Sequence, residues 1–465
     1  MEGREEQRSV MMRRNREGTL MSQWLSTKLH HISERARWNP TYQFKTLAHL
    51  ITEETLEWAY RQLRTDAAAG TDEITAQEYG KNLTANLKEL HTRLRERRYR
   101  AQPLRRVYIA KEDGKKRPLS IPVLEDKIVQ KAVTMILERI YENDFLTCSY
   151  GYRPKRNARD AILAIQKKIT LGEVSYVLEA DIRDYFGSIV HRQLMEWLRK
   201  RIEDGDILRL IGKWLKVGVI EDGRLLLSEN GTYQGSVISP LLANIYLHEV
   251  LDIWVERTVK PRMRGEITLV RYADDFVACF QYLEDAEKFL QVLPKRFGKY
   301  GLELHPEKTR LIEFGRSAWG RSKRDGTKLG TFNFLGFTFY CSESREGRFT
   351  VKSKTMSKRL RRGLKRVANW CRVNRHLAVE KQNSYLRAVL LGHYQYYGLR
   401  ANYRCLLQFY RGSIRLWKKW LGYRHRSGAV PWVKMNRILT RYPLPRPRIT
   451  QGQRWNQLLL AGEFT

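Results

Sequence analysis

The chain has 465 residues, 42% of them hydrophobic and 11% aromatic, which suffices for sizeable cores in about two to four domains. Its 86 Lys and Arg residues outnumber its 50 Asp and Glu residues, and the formal net charge of +36 indicates a polyanionic partner that is bound in a salt-dependent way. No apolar run approaches the roughly 18 residues of a membrane span and no signal-peptide core stands at the N-terminus, which argues against membrane and secreted proteins.

Five cysteines are scattered along the chain: Cys148, Cys279, Cys341, Cys371 and Cys405. No two of them are close in sequence, which argues against a zinc site and against a disulfide framework. Free thiols are typical of a reducing compartment, so the sequence predicts a cytoplasmic protein without a membrane partner.

In chain order the sequence divides into five parts with different patterns. They are a polar, charged lead (1–22), a helical region (23–100), a region of mixed strands and helices (101–345), a region of three amphipathic helices (346–425) and a basic, proline-containing tail (426–465). The lead is predicted to be disordered and the tail to be an extended arm. One early helix is predicted to begin at Thr52, and Ser239–Pro240 predicts the cap and first position of a helix that continues to Leu251. Residues 316–330 are basic and rich in glycine, which is typical of a loop.

Two adjacent carboxylates, Asp274 and Asp275, lie between two apolar segments. Residues 268–271 and 276–280 both have the character of strands, so the acidic pair is predicted at the tip of a hairpin. An Asp-containing hairpin turn by itself needs no functional explanation. Two carboxylates held side by side repel each other, however, and a site that keeps both ionised usually holds a divalent cation.

A third carboxylate belongs to another predicted strand. Residues 174–182 have strand character, with Asp181 and Ile182 at the end. Three Asp side chains that converge from two neighbouring strands suit a pair of Mg²⁺ ions about 4 Å apart, the arrangement used for in-line phosphoryl transfer. One ion would lower the pKa of a primer 3′-hydroxyl and the other would stabilise the leaving pyrophosphate.

Five further segments follow the same order along the chain as the motifs of a known family. They are Lys111–Pro122 with a hairpin signal at Asp113–Gly114, Ser149–Pro154, Gln234–Leu247, Leu302–Thr309 and Phe334–Phe337. Together with the two Asp-containing segments, they resemble the group II intron reverse transcriptases and maturases. The chain departs from the family pattern at Tyr233, Ser236 and Gly187, where the family often has Pro, Gly and Asp. None of these departures removes a metal-binding carboxylate.

The resemblance implies an α+β fold, the right-hand polymerase. Residues 23–100 would form an N-terminal helical extension that helps to clamp template RNA, and residues 101–345 would form the fingers and palm. Residues 346–425 would be an α-helical thumb, or maturase-specific, domain. The tail contains no HNH-type cluster of Cys and His, so the endonuclease domain of some relatives is expected to be absent.

The resemblance also implies the roles of individual residues. Asp181, Asp274 and Asp275 would hold two Mg²⁺ ions, for which Mn²⁺ can substitute, and the Ile182 carbonyl would complete one metal shell. The implied nucleotide-binding residues are Lys111 and Arg117 as the triphosphate clamp, Phe186 under the sugar, and Gln234 and Gly235 along the new base pair.

Contacts with template or other RNA are expected from a separate set of basic residues. These are Arg153, Lys308, Arg361, Arg362, Lys365 and Arg366. Residues 351–465 carry roughly two dozen more Lys and Arg than Asp and Glu, whereas most Tyr and Trp side chains of the helical region are expected to form its core.

The sequence therefore predicts an RNA-directed DNA polymerase that uses dNTPs, a DNA primer and an RNA template, and that binds its own intron RNA to assist splicing and mobility. Three alternatives remain open: a maturase that acts mainly as an RNA-binding splicing factor, a free-standing enzyme of DNA repair or phage defence, and an RNA-templated RNA polymerase, which the bulky Phe186 disfavours. The sequence leaves the oligomeric state open.

Overall fold

A computed structural model of the chain describes residues 23–110, 116–221, 223–424 and 428–450. Lys111 and the predicted turn at Asp113–Gly114 lie outside the described residues, as does the predicted disordered lead. Within the described ranges, no helix is both long enough and apolar enough to cross a lipid bilayer.

The N-terminal part is helical, as predicted. Its helices are α1 (23–38), α2 (Glu53–Arg61), α3 (Ala76–Tyr79) and α4 (Leu83–Arg95). α1 buries one stripe with the spacing of an amphipathic helix, namely Leu25, Leu29, Ile32 and Ala36. α2 begins where the sequence predicts, since the Thr52 hydroxyl accepts a hydrogen bond from the Thr55 amide at 3.2 Å.

A four-stranded sheet follows the N-terminal helices. The elements up to residue 247 are β1 (Leu104–Ala110), β2 (Lys116–Ile121), α5 (Leu124–Asp144), α6 (Ala158–Leu171), β3 (Tyr176–Ala180), β4 (Ile182–Arg183), α7 (Tyr185–Ser188), α8 (His191–Arg199), α9 (Gly205–Lys216), β5 (Val219–Glu221), β6 (Arg224–Leu226) and α10 (Ser239–Leu247). β1 and β2 pair antiparallel, with Val107 opposite Leu119, and β5 and β6 extend this hairpin into a sheet of order β2-β1-β5-β6.

Helix α10 differs in detail from its prediction. It begins at Ser239 with Pro240 in the first turn, but the residue at the cap position is Ile238, which makes no side-chain cap bond. The helical path continues past Leu251 as predicted, although residues 248–252 and 255–259 are wound as π-helix. Such turns are rare and occur frequently at functional sites.

The central sheet has strand order β10-β3-β8-β7. The elements of this region are β7 (Ile267–Tyr272), β8 (Asp275–Phe280), α11 (Leu283–Lys299), β9 (Glu303–Leu304), β10 (Arg310–Glu313), α12 (Arg316–Asp325), β11 (Phe332–Phe334), β12 (Phe337–Glu343) and β13 (Phe349–Thr355). Because side chains alternate along a strand, the two faces of the sheet belong to different cores. Leu178 and Phe276 share a core with α10 and α11, whereas Val177 and Val277 pack with α6 and the β11–β13 sheet.

Two local predictions are wrong. Residues 316–325 form helix α12 rather than a loop, since Ala318 is buried and the Trp319 ring lies 5.8 Å from the Phe349 ring. The helical region predicted to start at residue 346 starts later, because residues 349–355 form strand β13, with Phe349 and Val351 among its alternating buried side chains, and the first amphipathic helix begins at Ser357. Both segments pack against the β12–β13 hairpin region, α12 through Trp319 and Phe349, and β13 through its pairing with β12.

The C-terminal part is helical after β13. Its helices are α13 (Ser357–Val373), α14 (Val379–Tyr397), α15 (Tyr403–Gly422) and α16 (Trp432–Arg441). As predicted, aromatic side chains such as Tyr394 and Trp417 are fully buried in the core of this bundle. The tail is an extended arm only in part, since α16 interrupts it. The segment 442–450 lies along α14, where the Tyr394 hydroxyl donates to the Pro445 carbonyl at 3.1 Å.

Candidate active site

Sheet register brings the three predicted carboxylates together. β3 and β8 pair antiparallel with Ala180 opposite Phe276, so Asp181, which follows β3, lies across from Asp275, the first residue of β8. The β7–β8 hairpin is confirmed, with Tyr272 paired to Asp275 across the two-residue turn Ala273–Asp274. The hairpin and the strand end therefore present one acidic cluster at one edge of the central sheet.

Burial and the crowding of like charges raise the pKa values of two carboxylates in the cluster. Asp275 keeps contact with solvent, but the protein around it displaces water, and this burial together with the charges of Asp274 and Asp181 raises its pKa to about 7. Burial likewise raises the pKa of Asp274, where the Asp181 charge adds to the effect and the Arg117 and Lys308 charges oppose it. Burial and neighbouring carboxylates thus both disfavour the ionised form of Asp274 and Asp275.

The cluster has the chemistry of a divalent-cation site. The charge of Asp181 acts on Asp275, and the Lys308 ammonium makes an ion pair with an Asp181 carboxylate oxygen. Among the described residues no three His, Cys, Asp or Glu side chains surround one common point, so the carboxylates are adjacent without converging. Hard oxygen ligands that repel one another are nevertheless the donor set that suits Mg²⁺. Ile182 lies beside the cluster in β4, with its side chain buried.

The predicted nucleotide-binding residues differ in how closely the structure relates them to the acidic cluster. Arg117 lies on β2 opposite Ile109 and is close enough to Asp274 to oppose the rise of its pKa, whereas Lys111 lies outside the described residues. Phe186 is half-buried in α7, and its carbonyl accepts a hydrogen bond from the Thr232 amide at 2.7 Å. This bond brings Phe186 next to the segment that contains Gln234.

Packing against β2 explains why residue 235 is a glycine, which the sequence interpretation did not include. Its φ is +114°, and a Cβ at this position would lie 2.7 Å from the Ser120 carbonyl oxygen. The Gln234 carbonyl accepts a hydrogen bond from the Ser120 amide at 2.8 Å. The close approach is therefore to the backbone of β2, and contact of Gln234 and Gly235 with a base pair stays a prediction.

The structure places Arg153 in the interior of the protein. Its side chain is only 5% exposed and makes an ion pair with Glu142 at 3.1 Å. It also donates to the carbonyl oxygens of Leu146 and Ser149, at 2.8 and 3.0 Å. The guanidinium thus has internal partners, and Lys308 makes an ion pair with Asp181. Contact of either residue with template RNA stays a prediction.

The basic residues predicted on α13 stand on its outer surface. Arg361, Lys365 and Arg366 are exposed and Arg362 is half-buried. The opposite face of α13 is apolar and packs on α15 through Gly363, where a Cβ would lie 2.9 Å from the Phe409 ring. The helix therefore has the two-sided character that the sequence predicts, and binding of RNA to its basic face stays a prediction.

A buried ion pair beneath the acidic turn escaped the sequence interpretation. Arg271 and Asp252 are both fully buried, and the guanidinium donates to the two carboxylate oxygens at 2.8 and 2.6 Å. Arg271 also donates to Asn244 Oδ1 at 3.0 Å, to the Ala273 carbonyl at 3.1 Å and to the Ser149 hydroxyl at 2.8 Å. The sequence signal that could have indicated this ion pair is Arg271 itself, a charged residue within a predicted apolar strand.

This ion pair holds the acidic hairpin. Burial opposes ionisation of Asp252, but the charge of Arg271 outweighs it and leaves the pKa of Asp252 lowered. Ala273, whose carbonyl Arg271 binds, has a φ of +59°, a conformation that residues other than glycine rarely adopt. The buried guanidinium therefore fixes the turn from which Asp274 and Asp275 project.

Comparisons with known proteins agree with this geometry. Residues 109–339 match the family described as reverse transcriptase (RNA-dependent DNA polymerase). "Protein YkfC" of Escherichia coli K12 is 34% identical over 68% of this chain and 88% of its own length. "Group II intron-encoded protein LtrA" of Lactococcus lactis is 37% identical over 48% of this chain and 37% of its own. "Putative COX1/OXI3 intron 2 protein" of Saccharomyces cerevisiae is 33% identical over 43% of this chain and 23% of its own. The matched region thus covers most of the first relative, but only about a third of the second and less than a quarter of the third.

Proposed function

Because the chain belongs to the reverse transcriptases of the group II intron type, we propose that it extends a DNA primer along an RNA template with Asp181, Asp274 and Asp275 as the ligands of catalytic Mg²⁺. The observation that carries this proposal is the pairing of Ala180 with Phe276, because it brings carboxylates from two strands to one edge of the sheet. The raised pKa values of Asp274 and Asp275 support a site that needs a cation.

The family has the right-hand polymerase fold, and its parts can be assigned to this chain. Residues 101–345 serve as fingers and palm, with the β1–β2 hairpin in the fingers and the central sheet in the palm. Helices α13 to α15 serve as the thumb, and helices α1 to α4 as an N-terminal extension. The acidic cluster then lies in the palm, between the fingers hairpin and the thumb.

Each group around the cluster has a part in the proposed reaction. Two Mg²⁺ ions, or Mn²⁺ in their place, would lower the pKa of the primer 3′-hydroxyl and stabilise the leaving pyrophosphate. Arg117 binds the triphosphate of the incoming dNTP, together with Lys111. Lys308 offsets the charge of Asp181, and Phe186 lies under the sugar. The Ile182 carbonyl, Gln234 and Gly235 keep the roles that the family resemblance implies.

Primer extension with an isosteric substitution tests the assignment. Asp275→Asn keeps the shape of the side chain but removes a negative charge from the metal site, so we expect extension in Mg²⁺ to fall by at least about 100-fold while RNA binding stays within twofold. Asp66→Asn is the matched control, since this carboxylate is 71% exposed on the surface. Near-normal extension by the Asp275 variant would contradict the proposed site.

A second proposed role is the binding of structured intron RNA. The exposed basic residues of α13 support it, as does the name of the lactococcal relative, which is intron-encoded. A basic helix on a separate bundle can bind RNA without taking part in the chemistry at the palm. A free-standing enzyme of DNA repair or phage defence is the alternative, and it predicts no preference for RNA from the gene's own flanks.

A further inference from the structure

Tyr152 is an exposed aromatic residue at the edge of the acidic cluster. Its side chain is 51% exposed, and its φ of +56° lies in the left-handed region. Among the described residues, none makes a hydrogen bond or a ring contact with the phenol. Residues other than glycine rarely adopt this conformation, and where they do the surrounding structure enforces it, often at a functional site.

Buried contacts enforce the conformation of Tyr152. The preceding Gly151 packs on the acidic turn so closely that a Cβ there would lie 2.3 Å from the Ala273 amide nitrogen. Asn244 is 1% exposed and donates from Nδ2 to the Gly151 carbonyl at 2.7 Å. The Tyr150 amide donates to the Arg271 carbonyl at 2.8 Å. The loop that carries Tyr152 is therefore joined rigidly to the hairpin that carries the carboxylates.

The phenol lies near two groups that the incoming nucleotide has to reach. Burial raises the pKa of Tyr152, the charge of Asp274 raises it further, and the charge of Arg117 lowers it, so both charged groups are within electrostatic range of the ring. Under the proposed function the triphosphate spans the metal site at Asp274 and the guanidinium of Arg117. A ring beside both groups borders the space in which the sugar and base of that nucleotide lie.

We propose that the ring of Tyr152 is a contact surface for the incoming nucleotide, and that Asn244 is the positioning residue that holds it there. The inference rests on the proposed polymerase function. Contact with a ring tolerates any base, because every base has a π-face, so it would serve all four dNTPs alike. The rigid loop would also limit the side-chain entropy that is lost when the nucleotide binds.

Single-nucleotide insertion kinetics test the proposal. We expect Tyr152→Ala to raise the KM for each of the four dNTPs roughly tenfold, with kcat and the Kd for primer–template changed less than about twofold. Tyr152→Phe should keep the wild-type KM, since the ring remains. Tyr423→Ala is a matched control that removes a tyrosine of similar exposure, 55%, from the end of α15, and it should change none of these constants.

Two further variants separate contact from loop distortion. Tyr152→Gly removes the ring but relieves the backbone strain, so its KM should equal that of Tyr152→Ala. Asn244→Ala should raise the KM for dNTPs in the wild-type background and raise it less in the Tyr152→Ala background, because its bond to Gly151 acts through the ring whereas its bond to Arg271 acts through the hairpin.

The outcomes distinguish this inference from the proposed function. An unchanged KM in Tyr152→Ala, or a change confined to the Kd for primer–template, would overturn the nucleotide contact. An equal effect of Asn244→Ala in both backgrounds would overturn its positioning role. Absence of primer extension by the wild-type protein would instead count against the polymerase assignment itself.

Discussion

Phe186 lies in α7, five residues after Asp181, and its position follows from two local contacts. Its ring centroid is 5.6 Å from that of Tyr185, which is buried. Its carbonyl is bonded to the amide of Thr232, two residues before Gln234. A half-buried ring beside this segment is compatible with the implied contact under the sugar, a role that stays a prediction.

Replacement of Phe186 tests that role. If the ring excludes a 2′-hydroxyl by steric overlap, Phe186→Ala should raise the ratio of rNTP to dNTP incorporation by roughly 5- to 150-fold, which corresponds to an overlap of about 1–3 kcal/mol. Phe186→Tyr keeps the bulk of the ring and should leave the ratio unchanged. The measurement is competitive incorporation on one template. An unchanged ratio in the alanine variant, with intact use of dNTPs, would place sugar discrimination elsewhere.

At the scale of elements, the β7–β8 hairpin depends on helix α10 and its π-wound continuation. Asn244 and Asp252 come from this helical path, and both bind the Arg271 guanidinium from β7. The helical path and the hairpin are thus joined through one buried charge pair. Removal of one partner of such a pair leaves the other charged and buried, which is far more costly than the loss of an exposed ion pair.

This dependence predicts that two substitutions around Arg271 lower the free energy of unfolding by different amounts. Asp252→Ala should lower the free energy of unfolding by about 3–5 kcal/mol, because it leaves the guanidinium uncompensated. Ser149→Ala removes a single hydrogen bond to the same guanidinium and should lower it by about 1 kcal/mol. Chemical denaturation of both variants gives the comparison. Equal stabilities would show that the buried pair does not hold the hairpin as described.

At the scale of the whole molecule, the helical bundle is tied to the mixed region by its C-terminal segment. Arg159 of α6 donates to the Thr450 carbonyl at 2.8 Å, and the Thr450 amide donates to the Gly398 carbonyl at 2.9 Å. Residues 442–450 therefore touch both α14 and α6. The tail predicted as a basic arm also serves, in its described part, as a connection between the two regions.

The acidic cluster and the basic face of α13 belong to different elements, which predicts that polymerisation and RNA binding can be separated by mutation. If the protein assists splicing of its own intron, Asp181→Ala should make no cDNA but should still promote splicing, because the carboxylates take no part in RNA binding. The double substitution Arg361→Glu and Lys365→Glu should weaken RNA binding and reduce the slope of log Kd against log salt by about one per lost phosphate contact.

The experiment needs two controls, a variant with the same change of charge and an unrelated RNA. Arg192→Glu with Arg264→Glu changes the net charge equally at side chains that are 86% and 66% exposed and lie away from α13, and it should leave the slope unchanged. RNA from the gene's own flanks is compared with unrelated structured RNA at equal salt. Equal affinity for both RNAs without stimulated splicing would reject the intron-specific role and leave the polymerase proposal intact.

The sequence by itself determined the features whose signals are local. Apolar, strand-like segments on either side of Asp274 and Asp275 predicted the hairpin, and Thr52 predicted the start of α2. The family was evident from seven ordered segments, because the short motifs around a reaction centre combine residue type with fixed spacing. The basic character of α13 was likewise readable from its helical period.

Tertiary structure alone decided which of these residues reach the site. Arg153 is basic and lies in a family motif, yet Glu142 on a neighbouring helix binds it in the interior. Gly235 approaches Ser120 of β2 through a contact between residues more than a hundred positions apart. The loop that carries Tyr152 lies against the acidic turn through contacts with Asn244 and Ala273, which are about a hundred residues away in the chain. Side-chain pairing between distant elements depends on how their buried faces fit, and no local pattern of residues records it.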